Sequence, residues 1–303
     1  MRKLLIILIV LSGPAYGQHL TLQSQYLFNS VALNPATTGS DDAFSLVGSF
    51  RAQWIGLPGA PLTQSITAHA PLKKMKSAFG AQIFADQIGV TRNTGIFGSY
   101  AYRLRFENSS LAFGLAGGIN MIKSHFSKLE VNDQDDEEII TDSPLAILPD
   151  VSFGMHYSGK KYFVSFSIPM FLSHEFEGSK FRLKHDFKNY NFMLGGGYHF
   201  HLKSGAKFKP SVLLKYRYDA RPQADFNMMY SFNEAIDLGL SYRTEEALIA
   251  LLEVRPTKQF AFMYSFGFPL NPLWKYTYGS HEFSLKYQFK YKTSITSPRY
   301  LGW

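Results

Sequence analysis

The feature that most constrains the fold is a two-residue alternation of apolar and other side chains, which recurs from residue 43 almost to the end of the chain. In residues 279–291, large apolar or aromatic side chains alternate with Glu, Ser, Lys and Gln. Because successive side chains of a β-strand point to opposite faces, this period predicts strands with one apolar face, and helical spacing does not account for it. The fourteen predicted strands are 43–55, 62–71, 76–88, 92–107, 109–122, 150–158, 161–172, 187–201, 206–219, 222–232, 235–243, 246–255, 258–270 and 279–291.

The lengths of the connections between these strands support a barrel. Single-chain bacterial barrels have an even number of strands, short periplasmic turns and longer outer loops. The sequence therefore predicts an all-β fold, a transmembrane antiparallel up-and-down β-barrel of about 14 strands with the N-terminus on the periplasmic side. A soluble β-sandwich is the alternative, but it needs no such asymmetry and would hide its aromatic rows between two sheets. The short connections are 73–75, 108, 159–160, 202–205, 233–234 and 255–257, and the longest of the others are 123–149, 173–186 and 271–278.

Residues 1–17 have the pattern of a cleaved secretory signal peptide. Arg2 and Lys3 precede an apolar run, and Ala15-Tyr16-Gly17 provides a small-x-small cleavage site. The run is too short for a transmembrane anchor, which needs about 20 residues. We expect the mature chain to begin at Gln18, without a lipoprotein cysteine, because the sequence has Cys 0. The predicted organisation is a signal peptide (1–17), a periplasmic N-terminal segment (18–42) and a barrel with a short C-terminal tail (43–303).

The composition agrees with an outer-membrane barrel and excludes some other classes. Aromatic residues make up 16% of the chain, while the mean hydropathy is only −0.11. Without cysteine there is no disulfide or thiolate chemistry. The net charge of +8 suggests nucleic acid as a ligand, but a secretory signal argues against this. Contact with acidic lipid or with an acidic partner is the better interpretation of the positive charge.

The N-terminal segment 18–42 holds Tyr26, Phe28 and Leu33 around an Asn34-Pro35 turn. A free tail has little reason to carry such side chains, because their exposure to water is unfavourable. We expect them to pack, either against the lumen wall of the barrel or against a periplasmic partner. The sequence leaves both possibilities open.

Several motifs in this segment and beyond it resemble those of a known family. The resemblance is to the PorP/SprF family of Bacteroidetes outer-membrane proteins, and it covers the first third of the chain best. The motifs are Gln25-Tyr26-x-Phe28-Asn29, Asn34-Pro35-Ala36-x-x-Gly39, Arg51-x-Gln53-Trp54-x-Gly56, Gly59-Ala60-Pro61, Asp86-Gln87-Ile88-Gly89 and Ser297-Pro298-Arg299-Tyr300.

This resemblance implies a function in the type IX secretion and gliding machinery, in the outer membrane and without enzyme activity. Related barrels hold the C-terminal domain of a secreted adhesin at the cell surface, or link the outer membrane to periplasmic type IX secretion or peptidoglycan-binding components. From position and likeness, we expect partner contacts in the segment 18–42, the outer loops and the tail 292–303. The individual candidates are Tyr26, Phe28, Asn34, Pro35, Arg51 and Trp54.

A diffusion porin or uptake channel is the alternative function. In that case the polar rows would line a conducting lumen and would present several basic side chains to the permeating solute. The candidates for this lining are Arg51, Arg103, Arg105, Lys215 and Arg217.

Three groups of residues are candidates for sites of chemistry. The acidic run 132–138 offers carboxylates for calcium but lacks the glycine and the spacing of an EF-hand loop, which favours a solvated outer loop. His199 and His201 share one face of a strand, but no third metal ligand accompanies them, so we expect polar lumen lining there and at His156. No nucleophile and base are defined in the predicted outer loop, and we expect no catalytic residue, metal or cofactor. The candidates weighed in that loop are His174, Glu175, His185 and Asp186.

Overall fold

The computed structural model describes residues 24–72, 76–128, 142–177, 180–184 and 187–289, with backbone only for 128, 173–177 and 180–184. Seventeen β-strands and six short 3₁₀ turns account for the regular structure of these residues. The strands are β1 (Phe44–Ala52), β2 (Leu62–Pro71), β3 (Ser77–Ile88), β4 (Thr91–Arg105), β5 (Ser109–Ser124), β6 (Ala146–Gly159), β7 (Tyr162–Ile168), β8 (Ser173–Glu177), β9 (Lys180–Lys184), β10 (Phe192–Tyr198), β11 (Phe200–His201), β12 (Lys207–Tyr216), β13 (Gln223–Ser231), β14 (Ile236–Arg243), β15 (Ala247–Val254), β16 (Phe260–Pro269) and β17 (Ser280–Phe289). The 3₁₀ turns are Ser24–Leu27, Ser30–Ala32, Pro35–Thr37, Phe126–Lys128, Phe187–Asn189 and Pro272–Lys275.

The main sheet closes on itself as an antiparallel barrel. Neighbouring strands pair in sequence order, β10 pairs with β12, and β1 pairs with β17 to complete the circle. Because β10 and β11 are two parts of one strand interrupted at His199, the barrel has 14 strands. This confirms the predicted fold class. Closure gives each strand of this sheet two neighbours, so the barrel has no edge strand.

The structure corrects some predicted boundaries. The predicted loop 123–149 is shorter, because β5 extends to Ser124 and β6 begins at Ala146. Pro149 lies within β6 opposite Ile119. The proline is tolerated because β7 pairs with β6 only from Phe153 onward, so β6 has a neighbour on one side at this point. The predicted loop 173–186 contains a separate hairpin, β8–β9.

The two faces of the strands differ as the alternation predicted. The outward rows are apolar and exposed, with Leu115 at 60% and Leu240 at 52% of full exposure. The inward rows carry small or polar residues, such as Ser45, Thr67 and Ser165, which are buried. An outer surface covered by exposed apolar side chains is compatible with lipid and not with water. Among the described residues, no helix is long and apolar enough to cross a bilayer.

The barrel has two different ends, which define its orientation. Six connections at one end are short, and the chain enters β1 and leaves β17 there, since Phe44 and Phe289 pair. We call this the short-turn end and the opposite one the loop end. Outer-membrane barrels place the short turns in the periplasm and the longer loops outside.

Candidate functional site: the occupied lumen

The lumen contains the N-terminal segment of the chain. Residues 24–42, which we call the plug, form three consecutive 3₁₀ turns inside the barrel. Asn34, Ala36, Thr37 and Thr38 have no exposed surface at all, and Tyr26 is almost as deeply buried. The sequence left two possibilities open for these side chains. In this structure of the single chain, they pack against the lumen wall.

The middle of the plug is anchored by Asn34. Its side-chain Nδ2 donates toward the carbonyl oxygens of Met155 and Phe166 at 3.0 and 3.2 Å and the Ser165 hydroxyl at 2.7 Å. Its Oδ1 accepts from the backbone N–H of Ala36 at 2.9 Å, which caps the third 3₁₀ turn. The side chain therefore fixes the local turn and the wall contact at the same time.

Two wall glycines permit this close contact. A Cβ atom added at Gly154 would overlap the side-chain oxygen of Asn34, and one added at Gly114 would overlap the backbone of Pro35 and Ala36. The plug backbone thus lies directly on the backbone of β5 and β6, where only glycine leaves enough space.

The first residues of the plug are held near the loop end by Glu282. The Glu282 carboxylate accepts from the backbone N–H groups of Ser24 and Gln25 at 2.9 and 3.1 Å and pairs with Arg51 Nε at 3.0 Å. The Gln25 amide also donates to the Glu282 carbonyl at 2.9 Å. A buried carboxylate that accepts several N–H groups and pairs with a guanidinium is well satisfied.

A second buried charged group lies at the same level. Asp225 pairs with Lys215 at 3.0 Å and with Arg243 through two contacts of 3.0 and 3.1 Å. Arg243 also reaches Glu246 at 3.2 Å, in the turn that follows β14. Burial alone would raise the pKa of Glu246, but the charges of Arg243 and Arg51 outweigh this and lower it.

Apolar side chains of the plug fill the space between these polar layers. Phe28 packs in a buried cluster with wall residues of four strands, β1, β13, β15 and β16. Tyr26 and Leu33 pack with Met193 and Leu213 in a second cluster, and Leu27 touches both. The lumen is therefore partly apolar, which the sequence did not predict. The wall residues of the first cluster are Val47, Met229, Ala247, Ile249, Leu251, Ala261 and Met263.

At the short-turn end, the plug joins the barrel through a group of charged residues. Arg103 donates to the carbonyl oxygens of Gly39 and Thr38 at 2.9 and 3.3 Å, and the Gly39 N–H donates to His69 Nδ1 at 3.1 Å. Lys286 pairs with Asp41 at 2.7 Å. Burial opposes the charged form of Asp41, but Lys286 and His69 outweigh it and lower its pKa below the usual range.

The candidate partner residues are distributed unequally. Tyr26, Phe28, Asn34 and Pro35 lie within the plug, and Arg51 is a buried wall residue that meets it through Glu282. Trp54 is separate from them, since it is half-buried in the β1–β2 connection at the loop end. Sequence reasoning missed several wall residues that hold the plug. A charge on an otherwise small or polar inward row, as at Glu282, is the signal that points to one of them. The missed residues are His69, Gly114, Gly154, Ser165, Asn227 and Glu282.

The histidines weighed as metal ligands do not form a cluster. His156 is buried and stacks on Phe163 with ring centroids 5.8 Å apart. His199 is buried inside the lumen, whereas His201 is exposed. Throughout the described ranges, no three His, Asp or Glu side chains come together in a way that would hold a metal. The acidic run 132–138 and residues 185–186 lie outside the described residues, and the side chains of His174 and Glu175 are not described.

These features define the class of the protein. A closed 14-stranded antiparallel barrel with an apolar outer face and a polar, occupied interior is an outer-membrane β-barrel protein. The family model described as "Type IX secretion system membrane protein PorP/SprF" matches residues 15–287. The chain belongs to this family and is an outer-membrane protein of type IX secretion, as the motifs around Asn34-Pro35 predicted.

Two solved structures are similar to this chain at low sequence identity. The chain is similar to the CymD monoaromatic hydrocarbon channel, with 12% identity, a TM-score of 0.50 and coverage of 92% of this chain and 96% of that one. It also resembles the outer membrane protein Omp33 of Acinetobacter baumannii, with 8% identity, a TM-score of 0.47 and coverage of 82% and 99%. At these identities the likeness concerns the fold alone. No curated protein matches the sequence.

Proposed function

We propose that the protein is a non-conducting and non-enzymatic barrel that supports the secretion or surface anchoring of adhesins. It does so by binding their C-terminal domain, by linking the outer membrane to periplasmic components of the machinery, or both. The observation that carries this proposal is the plug. A barrel whose lumen is filled by its own chain acts through its two ends and not through its interior.

The contacts of the plug support a lumen that stays closed. Glu282, Asn34 and Arg103 hold it at three different levels along the barrel. Two cavities between the plug and the wall measure about 30 and 40 Å³, which is room for a few water molecules. Removing the plug would also expose the apolar clusters around Phe28 and Leu33 to water, which is unfavourable.

The alternative function, a porin or uptake channel, receives less support from the same contacts. Arg51 is paired with Glu282, Arg103 with plug carbonyls and Lys215 with Asp225. Basic side chains that are already engaged in this way are not available to a permeating solute.

The accessible partner surface lies outside the lumen. Five of the six candidate contact residues are covered by the barrel wall, so a partner reaches them only after the plug has moved. Trp54, at the loop end, is the candidate that a folded partner can reach without such a movement. We assign the adhesin contact to this end and the periplasmic link to the short-turn end.

Conductance and adhesin display together test the proposal. The intact protein in planar bilayers is expected to show no steady conductance, whereas deletion of 19–40 with the signal retained should open a pore. In native cells, loss of the whole protein should abolish labelling of the adhesin on the surface. Steady conductance of the intact barrel would contradict the proposal. Normal adhesin display in cells that lack the protein would contradict it as well.

A further inference from the structure

A small cavity borders the plug near the short-turn end of the lumen. This cavity of about 40 Å³ lies between Leu27 and the wall strands from β7 to β16. We call the cavity and the space into which it opens the vestibule. Its apolar floor consists of Leu27, Phe163, Met229 and Met263, while polar groups of His199, Lys209 and Glu253 line its sides. The vestibule therefore combines an apolar base with a charged wall.

The charges inside the vestibule are balanced. Asp237 pairs with Lys209 at 2.6 Å and also with Arg255, which pairs with Glu253 at 2.6 Å. The Lys209 and Arg255 side chains keep 25% and 27% of their surface exposed, so the opening reaches them. Two basic and two acidic groups in one network leave no net charge at this depth.

The rim of the vestibule, in contrast, is positively charged. Five exposed lysines lie on the three short turns that surround it, and within the described part of the chain none of them has an acidic partner. A fourth short turn, between β13 and β14, carries the exposed acidic residue Glu234. These lysines are Lys160, Lys161, Lys203, Lys207 and Lys258.

The positions of two of these lysines argue against lipid headgroups as their ligands. Lys207 begins β12 on the inward row, opposite the buried Ser231. Lys161 precedes the outward-facing Tyr162 and shares the inward row with Phe163. Alternation therefore directs both side chains toward the barrel axis and away from the surrounding bilayer.

We infer that the vestibule and its lysine rim form a docking site for an acidic polypeptide segment of a periplasmic protein that carries an apolar side chain. The lysines complement its carboxylates, and the floor around Leu27 and Phe163 receives the apolar group. The chain's own segment 290–303 is a poor occupant, because it contains Lys290, Lys292 and Arg299 and no acidic residue. The inference deepens the proposed periplasmic link and rests on it for the source of the ligand.

Peptide binding to the intact barrel tests the site. The barrel is placed in phosphatidylcholine nanodiscs and titrated with a short fluorescent peptide of glutamates ending in phenylalanine. We expect salt-sensitive binding that weakens about tenfold or more in the Lys161→Glu, Lys207→Glu double variant. The same peptide without phenylalanine should bind more weakly, whereas a lysine counterpart should bind only the double variant.

The matched control is Lys275→Glu, which changes an exposed lysine at the loop end. This variant should bind the glutamate peptide as the wild type does, and heat-dependent mobility in gels verifies that every variant is folded. Three results would overturn the inference: no binding, equal loss in the control, or abolition of binding by phosphatidylglycerol in the nanodisc, which would assign the lysines to lipid. The peptide result does not depend on adhesin display, so failure of the proposed function would be recognised separately.

Discussion

At the scale of single residues, Asn34 joins the plug to the wall. Replacing it with Ala removes a buried donor from Ser165 and from two backbone carbonyls. Because unsatisfied buried polar groups are costly, Asn34→Ala should lower the free energy of unfolding by about 1–3 kcal/mol. Urea titration in lipid vesicles measures this, and Asn108→Ala in an exposed turn is the control. A similar loss in both variants would show that the plug contact is not the cause.

Gly154 is the second residue whose role can be isolated. A Cβ atom there overlaps the Asn34 side chain, so Gly154→Ala should displace the plug and produce conductance in planar bilayers. Gly98→Ala is the matched control, since a Cβ atom at Gly98 meets no atom within 4 Å. If neither variant conducts in planar bilayers, the plug does not need the close backbone contact.

At the level of secondary-structure elements, each strand contacts lipid with one row of side chains and faces the plug with the other. Leu213 shows the consequence. Alternation alone places it on the polar inward row and predicts that arginine costs less there than at the outward Leu214. In the structure Leu213 is fully buried against Tyr26 and Leu33. The inward face is also a packed core at this position, so a charge there would be costly.

Strand β14 offers a cleaner comparison along one outward row. Leu240→Arg, in the middle of the strand, should destabilise the barrel by about 2–4 kcal/mol, as is typical of the bilayer midplane. Ile236→Arg, at the short-turn end of the same row, should cost about 0–1 kcal/mol. The measurement is reversible unfolding from lipid vesicles, and equal costs at the two positions would contradict the membrane placement.

The β5–β6 connection contains a small element that closes the base of its loop. The Asp142 carboxylate accepts hydrogen bonds from the Ser127 hydroxyl at 2.7 Å and the Ser127 N–H at 3.2 Å, and it contacts His125 Nδ1 at 2.8 Å. These bonds lower the pKa of Asp142 to about 2. Because the folded pKa is depressed, the contribution to stability is present above the ordinary aspartate pKa and is lost as the pH falls toward 2.

Carboxyl NMR of the labelled protein tests this closure. Asp142 should titrate near pH 2, and Ser127→Ala should move its pKa upward toward the ordinary aspartate value. Ser143→Ala, which removes a hydroxyl that bonds only to backbone groups, should leave the pKa of Asp142 unchanged. An unperturbed Asp142 in the wild type would refute the assignment.

At the scale of the whole molecule, the two ends of the barrel predict its orientation in the membrane. An epitope inserted near Asp136 should be labelled on intact cells, because the β5–β6 connection is at the loop end. An epitope in the turn at Lys160 and Lys161 should be labelled only after the outer membrane is broken. The reverse pattern would invert the topology and move the lysine rim to the cell surface.

Local sequence patterns were enough to predict the fold class, the number of strands and which row of each strand faces lipid. This information is local, because a two-residue period and the turn residues between strands can be read within a short window. The Asn34-Pro35 and Arg51 motifs likewise indicated the family from neighbouring residues. The length of the β5–β6 loop was less predictable, because Pro149 is tolerated only through the late start of the β6–β7 pairing.

The position of the plug and the residues that hold it depend on contacts between distant parts of the chain. Ser24 and Glu282 are 258 residues apart in sequence, and they meet because the plug lies in the lumen, where the inward row of β17 presents Glu282 to it. The contact of Asn34 with Ser165 and the space at Gly154 depend in the same way on the register of β6 and β7. Alternation predicts that a side chain points inward, but the partner that it meets there depends on the closed barrel and its filled lumen.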